Sequence, residues 1–198
     1  MGDNSDMKSL CVYCSSSDRL EEKYYEAARN VGRGIGQRGW SLVYGGGRAG
    51  LMGAVARAAK EGGARVVGVI PQFMKMRELA YTDADELISV ITMRERKMLM
   101  ETRADAFVAL PGGWGTLEEI MEILTLAHLE ALGKPIVIFN QDGYYDELLA
   151  LFERIVRGKF MPESIRGRYA VASSEPQIFS LIENWSPAVA DGPWYQQR

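Results

Sequence analysis

Ala106-Phe107-Val108-Ala109-Leu110-Pro111-Gly112-Gly113-Trp114-Gly115-Thr116-Leu117-Glu118-Glu119 runs from apolar residues through a glycine-rich turn into a helical pattern. Strand, tight turn and helix in that order are the unit from which parallel sheets are assembled. The turn also has a chemical use. Its glycines admit φ > 0 and expose backbone N–H groups, and the helix start adds unpaired donors and the positive end of a dipole. Gly112, Gly113, Trp114, Gly115 and the hydroxyl-bearing Thr116 are therefore expected to cradle a phosphate. No G-K-[ST] occurs there, so the lysine and the magnesium-binding hydroxyl of a triphosphate loop are missing and a monophosphate suits the turn better.

The same alternation extends to both sides. Short β-type runs at Ser9 to Cys14, Ser41 to Tyr44, Arg65 to Ile70, Glu86 to Val90, Pro135 to Asn140 and Tyr169 to Ala172 alternate with helical patterns. This predicts an α/β fold, a three-layer parallel sheet with helices on both faces. It forms a single domain over residues 1–185, followed by a loose tail at 186–198. Strand order is not readable from the pattern. Helices are expected from near Ser17 or Asp18, at about Leu51 to Glu61, Thr92 to Arg103, Thr116 to Leu132 and Tyr144 to Arg157, and from a Ser174 cap with Gln177 through Trp185. Gly32, Gly34 and Gly36 weaken the end of the first, which implies fraying or a close packing contact. The Thr116 to Leu132 helix is apolar around much of its girth, with Leu117, Ile120, Met121, Ile123, Leu124, Leu126 and Ala127. A helix of that kind is buried on more than one side, and a homodimer would supply the second side.

A second glycine turn, Gly45-Gly46-Gly47-Arg48-Ala49-Gly50, follows the strand Ser41 to Tyr44 and matches G-x-G-x-x-G. The acidic residue a dinucleotide site needs on the next strand is absent, since Val69-Ile70-Pro71 stands there. Gly46 and Gly47 are left either as packing glycines or as substrate contacts. Glu119, one turn into the long helix, would repel a phosphate unless it faces the sugar, where a carboxylate stabilises positive charge at the anomeric carbon or positions a water. Spacing alone equally allows a partner for the helix dipole. Arg96 and Lys97 could neutralise phosphate and carboxylate, or form a solvated face.

Composition excludes other classes. With 23 Lys and Arg against 26 Asp and Glu, and no long basic run, nucleic acid and anionic membranes are not expected partners. No apolar stretch approaches the ~20 residues of a membrane span, and Met1 to Leu10 is polar, unlike a signal peptide, which points to the cytoplasm. Cys11 and Cys14 lie three apart on a strand, so they should point to opposite faces as reduced thiols rather than form a redox pair. With a single His, His128, no four-ligand zinc site can be assembled and no metal or cofactor is expected.

Together these residues resemble the LONELY GUY family of cytokinin riboside 5′-monophosphate phosphoribohydrolases, often labelled lysine decarboxylase-like. The marker P-G-G-x-G-T-x-x-E is met in full by Pro111 to Glu119. Gly45 to Gly47 with Gly50-Leu51-Met52-Gly53, Glu95-Arg96-Lys97, Lys134-Pro135 and Asp142-Gly143-Tyr144-Tyr145 support it. The resemblance implies a Rossmann-like, dimeric protein that releases an adenine-type base and ribose 5-phosphate. It implies Arg96 and Glu119 as the catalytic pair, Arg96 holding the carboxylate or the leaving group, and substrate contacts from Glu78, Lys97, Gly113 to Glu119 and Thr125. The chain departs from the pattern at Arg94, Leu126 and His128, which bears on base specificity; His128 is either a core residue or an acid. The alternative is a non-catalytic carrier or sensor of a phosphorylated nucleotide, since one cradle serves both. Pyridoxal chemistry finds no marked Schiff-base lysine.

Overall fold

The computed structural model describes residues 9–75 and 79–186. Seven strands form one sheet: β1 (Ser9–Tyr13), β2 (Ser41–Tyr44), β3 (Val66–Pro71), β4 (Glu86–Val90), β5 (Ala106–Ala109), β6 (Ile136–Phe139) and β7 (Ala170–Ala172). Their order is β4-β3-β2-β1-β5-β6-β7, and every neighbouring pair is parallel. The chain thus starts at the centre, winds to one edge, and returns to the other side of β1 with β5. Between those two strands the winding direction reverses, and the crevice beyond their carboxyl ends is where open α/β sheets bind ligands.

Helices α1 (Glu22–Gln37), α2 (Gly50–Glu61), α3 (Gln72–Lys75), α4 (Met93–Thr102), α5 (Trp114–His128) and α6 (Asp146–Arg157) connect the strands, and α7 (Glu175–Glu183) follows β7. α1, α2 and α7 pack on one face, burying Val31, Ile35, Leu51, Val55, Phe179 and Ile182 against Leu10, Val12 and Leu42. α4, α5 and α6 cover the other, where Met100, Ile120, Ile123 and Leu124 meet Cys11, Tyr13 and Phe107. The two-residue period of β1 sends Cys11 to one core and Cys14 to the other, both as free, buried thiols.

Several boundaries move for local reasons. α1 begins at Glu22, not near Ser17, because Ser15 to Asp18 form a loop whose side chains cap other amides. α5 opens two residues before Thr116 and ends at His128, where the chain turns through Glu130 at φ 60°. Tyr144 and Tyr145 precede α6, after a turn with Asp142 at φ 50°. Ser174 occupies the N-cap of α7 without a side-chain bond; Gln177 Oε1 instead accepts from the Ser173 amide at 2.8 Å. The α1 glycines mark close packing rather than fraying: a Cβ on Gly32 would sit 2.5 Å from the Val55 carbonyl oxygen, and one on Gly34 would overlap the Phe179 ring. Residues 187–198 of the expected tail lie outside the described residues.

Candidate active site

A cavity of about 370 Å³ opens at the carboxyl end of the sheet, at the reversal point between β1 and β5. Three groups of residues wall it. Val12 to Ser17 come from the end of β1, Gly113 to Thr116 with Glu118 and Glu119 from the start of α5, and Gly45, Met52, Met74, Met93, Arg96 and Met100 from the β2 side.

The two glycine turns differ in what their amides do. At the start of α2, the Gly50 amide donates to Asp18 Oδ1 at 2.7 Å, and those of Leu51 and Met52 donate to the Ser15 carbonyl at 2.9 and 3.3 Å. That helix end is already capped. At the start of α5, by contrast, the N-cap Gly113 supplies no side chain, and the first bond is from the Leu117 amide to the Gly113 carbonyl at 3.0 Å. The amides of Trp114, Gly115 and Thr116 find no acceptor among the described residues and border the cavity. Unpaired donors at the positive end of a 15-residue helix are an arrangement that favours an anion.

Glycine is needed in the α5 turn for room rather than for φ > 0. Positive φ falls in the other turn, at Gly46 (71°) and Gly50 (57°), and not at Gly112, Gly113 or Gly115. A Cβ on Gly112 would overlap the Thr116 side chain, whereas Gly113 and Gly115 face open space that a ligand can fill.

Glu119 lies one turn further into α5, about 4.5 Å of helix rise beyond Thr116. It is 8% exposed, and its carboxylate makes no hydrogen bond or ion pair among the described residues. Burial pushes its pKa up from 4.5 to about 7, against the opposing pull of the Arg96 charge. Arg96 is 6% exposed. Its Nε donates to the Val69 carbonyl at 3.1 Å and its Nη2 to the Gly45 carbonyl at 2.8 Å, while Nη1 lies 3.9 Å from Met93 Sδ. Arg96 therefore does not clamp Glu119. The guanidinium is held by backbone, and the two charges act on each other through space across the cavity wall.

The remaining expected site residues separate into three groups. Gly46 and Gly47 pair with residues 80 and 81 instead of facing the cavity: the Gly46 carbonyl accepts from the Tyr81 amide at 2.9 Å, and Gly47 bridges Ala80. Lys97 reaches across to α5, with its ammonium 2.5 Å from Glu118 Oε1 and 2.7 Å from Glu122 Oε2. Burial works against its charge, but those two bonds outweigh it and raise its pKa. Thr125 back-bonds to the Met121 carbonyl at 2.7 Å and lies in a separate apolar groove with Met121, Leu124, Phe152 and Ile165. His128 stands at the other end of α5, next to Arg157 and Phe160, remote from Glu119. Glu78 lies outside the described residues.

Sequence reasoning passed over Ser15, Ser16, Ser17, Gly45 and the methionines. A signal existed for the serines, because Ser15-Ser16-Ser17-Asp18 follows the first strand directly, where a parallel sheet presents loops to its ligand. The methionines come from α2, α3 and α4 and meet only in three dimensions.

Fold and cavity together define a Rossmann-like α/β protein with a helix start of unpaired amides at its cavity and a buried acid beside it. A family model described as "Possible lysine decarboxylase" matches residues 52–182. The cytokinin riboside 5′-monophosphate phosphoribohydrolase LOG2 of Arabidopsis thaliana is 39% identical over 92% of this chain and 86% of its own length. The probable phosphoribohydrolase LOGL9 of rice, Oryza sativa subsp. japonica, is 42% identical over 92% of this chain and 81% of its own. Among solved structures, the molybdenum cofactor carrier protein of Chlamydomonas reinhardtii superposes with a TM-score of 0.70 at 21% identity, covering 90% of this chain and 98% of that one. That likeness shows the Rossmann-like fold. The chain belongs to the LONELY GUY family of phosphoribohydrolases that its sequence resembles.

Proposed function

We propose that this protein hydrolyses the N-glycosidic bond of adenosine 5′-monophosphate, plain or N6-substituted, releasing the base and ribose 5-phosphate. The observation that carries the reading is Glu119: a buried carboxyl with no partner among the described residues, a pKa near 7, and a place one helical turn from three unpaired amides.

The roles follow from position. The amides of Trp114 to Thr116 and the Thr116 hydroxyl take the 5′-phosphate, which directs the ribose along α5 toward Glu119. As the bond to the base breaks, positive charge grows at the anomeric carbon, and the ionised Glu119 stabilises it and orients the attacking water, taking that water's proton as its oxygen bonds to the carbon, while the departing base nitrogen gains a proton from solvent. Arg96 keeps part of the Glu119 population ionised and presents a donor edge toward the base. The thioether wall of Met52, Met74, Met93 and Met100 suits a flat purine and an apolar N6 group, because methionine adapts to irregular shapes. The decarboxylase description would require pyridoxal phosphate on a lysine. The cavity wall has no lysine among the described residues and the Lys97 ammonium is bound to two carboxylates, so the residues do not fit that group.

Two further features belong to this reading. The groove beside Thr125, continued by Met121 at 41%, Leu129 at 42% and Leu151 at 47% exposure, supports a homodimer through α5 and α6. No helix among the described residues is long and apolar enough to cross a membrane, and the reduced cysteines accord with a cytoplasmic site of action.

The test is chromatography of free base after incubation with AMP and with isopentenyl-AMP. Wild-type protein should release base, and Glu119→Gln and Arg96→Ala should each abolish release while nucleotide still binds. Near-native turnover by either variant would refute the mechanism. Binding by the wild type without release from any purine monophosphate would make the protein a carrier.

A further inference from the structure

Asp142-Gly143-Tyr144-Tyr145 is the motif that the proposed chemistry leaves unused. It lies beyond β6, outside the cavity wall, yet both of its tyrosines reach the phosphate turn from behind. The Tyr144 hydroxyl donates to the Gly112 carbonyl at 2.9 Å, and the Tyr145 hydroxyl donates to the Leu110 carbonyl at 2.7 Å. Between them the Pro111 carbonyl accepts from the Ser15 amide at 3.3 Å. The Leu110 and Gly112 carbonyls are thus held by side chains from outside the cavity wall, and the Pro111 carbonyl is occupied by the Ser15 amide.

That has an electrostatic consequence. A peptide unit is planar and trans, so its C=O and N–H point in opposite directions. Fixing the Gly112 oxygen on Tyr144 aims the Gly113 amide the other way, toward the cavity that Gly113 lines. A carbonyl free to rotate could present its negative end to the anion and cancel the attraction of the helix start. The tyrosines are themselves braced. Their rings meet edge to face at 4.9 Å, Tyr24 packs on Tyr144 at 6.1 Å, and Tyr145 is 2% exposed. Asn140 locks the approach, accepting from the Tyr145 amide at 2.7 Å and donating to Asp146 at 2.8 Å.

We infer that Tyr144 and Tyr145 are positioning residues: a two-point clamp in which Tyr145 keeps the Leu110 carbonyl, and Tyr144 the Gly112 carbonyl, from facing a phosphate ester, the second bond also aiming the Gly113 amide at it. The inference rests on the reading of the α5 start as the phosphate site. It requires no contact between either tyrosine and the substrate.

Tyr144→Phe is the decisive variant, since Tyr144 is 42% exposed and the ring contacts remain when the hydroxyl goes. Calorimetric titration of the full-length protein with ribose 5-phosphate should give affinity about fivefold weaker than wild type, the equivalent of one hydrogen bond. Adenosine, which has no phosphate, should bind both proteins alike, and melting temperature should change little. A merely structural role would weaken both ligands together. Unchanged ribose 5-phosphate affinity, or an equal loss for adenosine, overturns the clamp. Titration needs no turnover, so wild-type protein that binds ribose 5-phosphate but never releases base would refute the hydrolase while leaving the clamp standing. Wild-type protein that fails to bind ribose 5-phosphate would refute the phosphate site and the clamp with it.

Discussion

Replacing the acid at the centre of the proposed site should remove a loss of stability that the protein suffers as pH rises into mild alkali. Glu119 is buried and its pKa is displaced from 4.5 to about 7. Between those two values the folded protein keeps a proton that the unfolded chain has already lost. Stability therefore falls as pH rises through this window, and the whole penalty is present above pH 7. At about 1.4 kcal/mol per pH unit, the gap is worth ~3 kcal/mol. Glu119→Gln keeps the shape and removes the titration.

Comparing two pH values isolates the effect. The glutamine amide has its own desolvation cost of about 1–3 kcal/mol, but that cost is the same at every pH. Acid also weakens ion pairs such as Arg103 to Glu86, equally in both proteins. The difference between variant and wild type should hence grow by ~3 kcal/mol from pH 4.5 to pH 8. At ~2–4 °C per kcal/mol for a chain of this size, the relative melting temperature of Glu119→Gln should rise by roughly 6–12 °C over that range. Thermal and urea denaturation followed by circular dichroism measure it. A gap between the two proteins that stays constant from pH 4.5 to 8 would refute the assignment of Glu119 as a desolvated, unpaired acid.

Two other outcomes follow from the same geometry. In turnover at saturating AMP, kcat should rise with pH through about 7, because the acid must be ionised to stabilise positive charge, and a bound phosphate moves that limb upward rather than down; a flat profile from pH 6 to 9 would contradict the role of Glu119. Gly45→Ala should lower kcat by roughly 100-fold through a small displacement, since a Cβ there overlaps Arg96 Nη2, while ribose 5-phosphate affinity stays near wild type; an unaltered kcat would mean that Arg96 has no fixed task.

What could be read from the chain is what depends on neighbours in sequence. The glycine turn, the start of its helix and the carboxyl one turn later all lie within Pro111 to Glu119, so their relation is set by local geometry. Alternation of strands and helices likewise gave a parallel sheet, and the two-residue period placed Cys11 and Cys14 on opposite faces. Strand order was not legible, because it depends on which strands meet after long crossovers. The partners of charged side chains were not legible either: Lys97 follows Arg96 directly, yet one ammonium lies on Glu118 and Glu122 of another helix while its neighbour's guanidinium reaches back to Val69 and Gly45.

The two glycine turns show why local pattern alone misjudges function. Both follow a strand, both open a helix, and the Gly45 to Gly50 turn has the better-known spacing. The deciding difference is who occupies the amides. Asp18 and Ser15, more than 30 residues upstream, take those of α2, and the bond from the Gly50 amide to Asp18 Oδ1 at 2.7 Å places a carboxylate where an anion would have to sit. A phosphate at that end would meet both an acceptor and a like charge. At α5 no acid among the described residues accepts from the first amides: Glu118 is held by Lys97, and Glu119 lies one turn along the helix. The first glycine turn is thereby converted from an anion site into a support: its Gly45 carbonyl seats Arg96, and its Gly46 and Gly47 hold residues 80 and 81. On the proposed reading, substrate discrimination is divided between a turn that offers amides to the phosphate and Glu119 at the sugar, whose protonation burial favours and the Arg96 charge opposes.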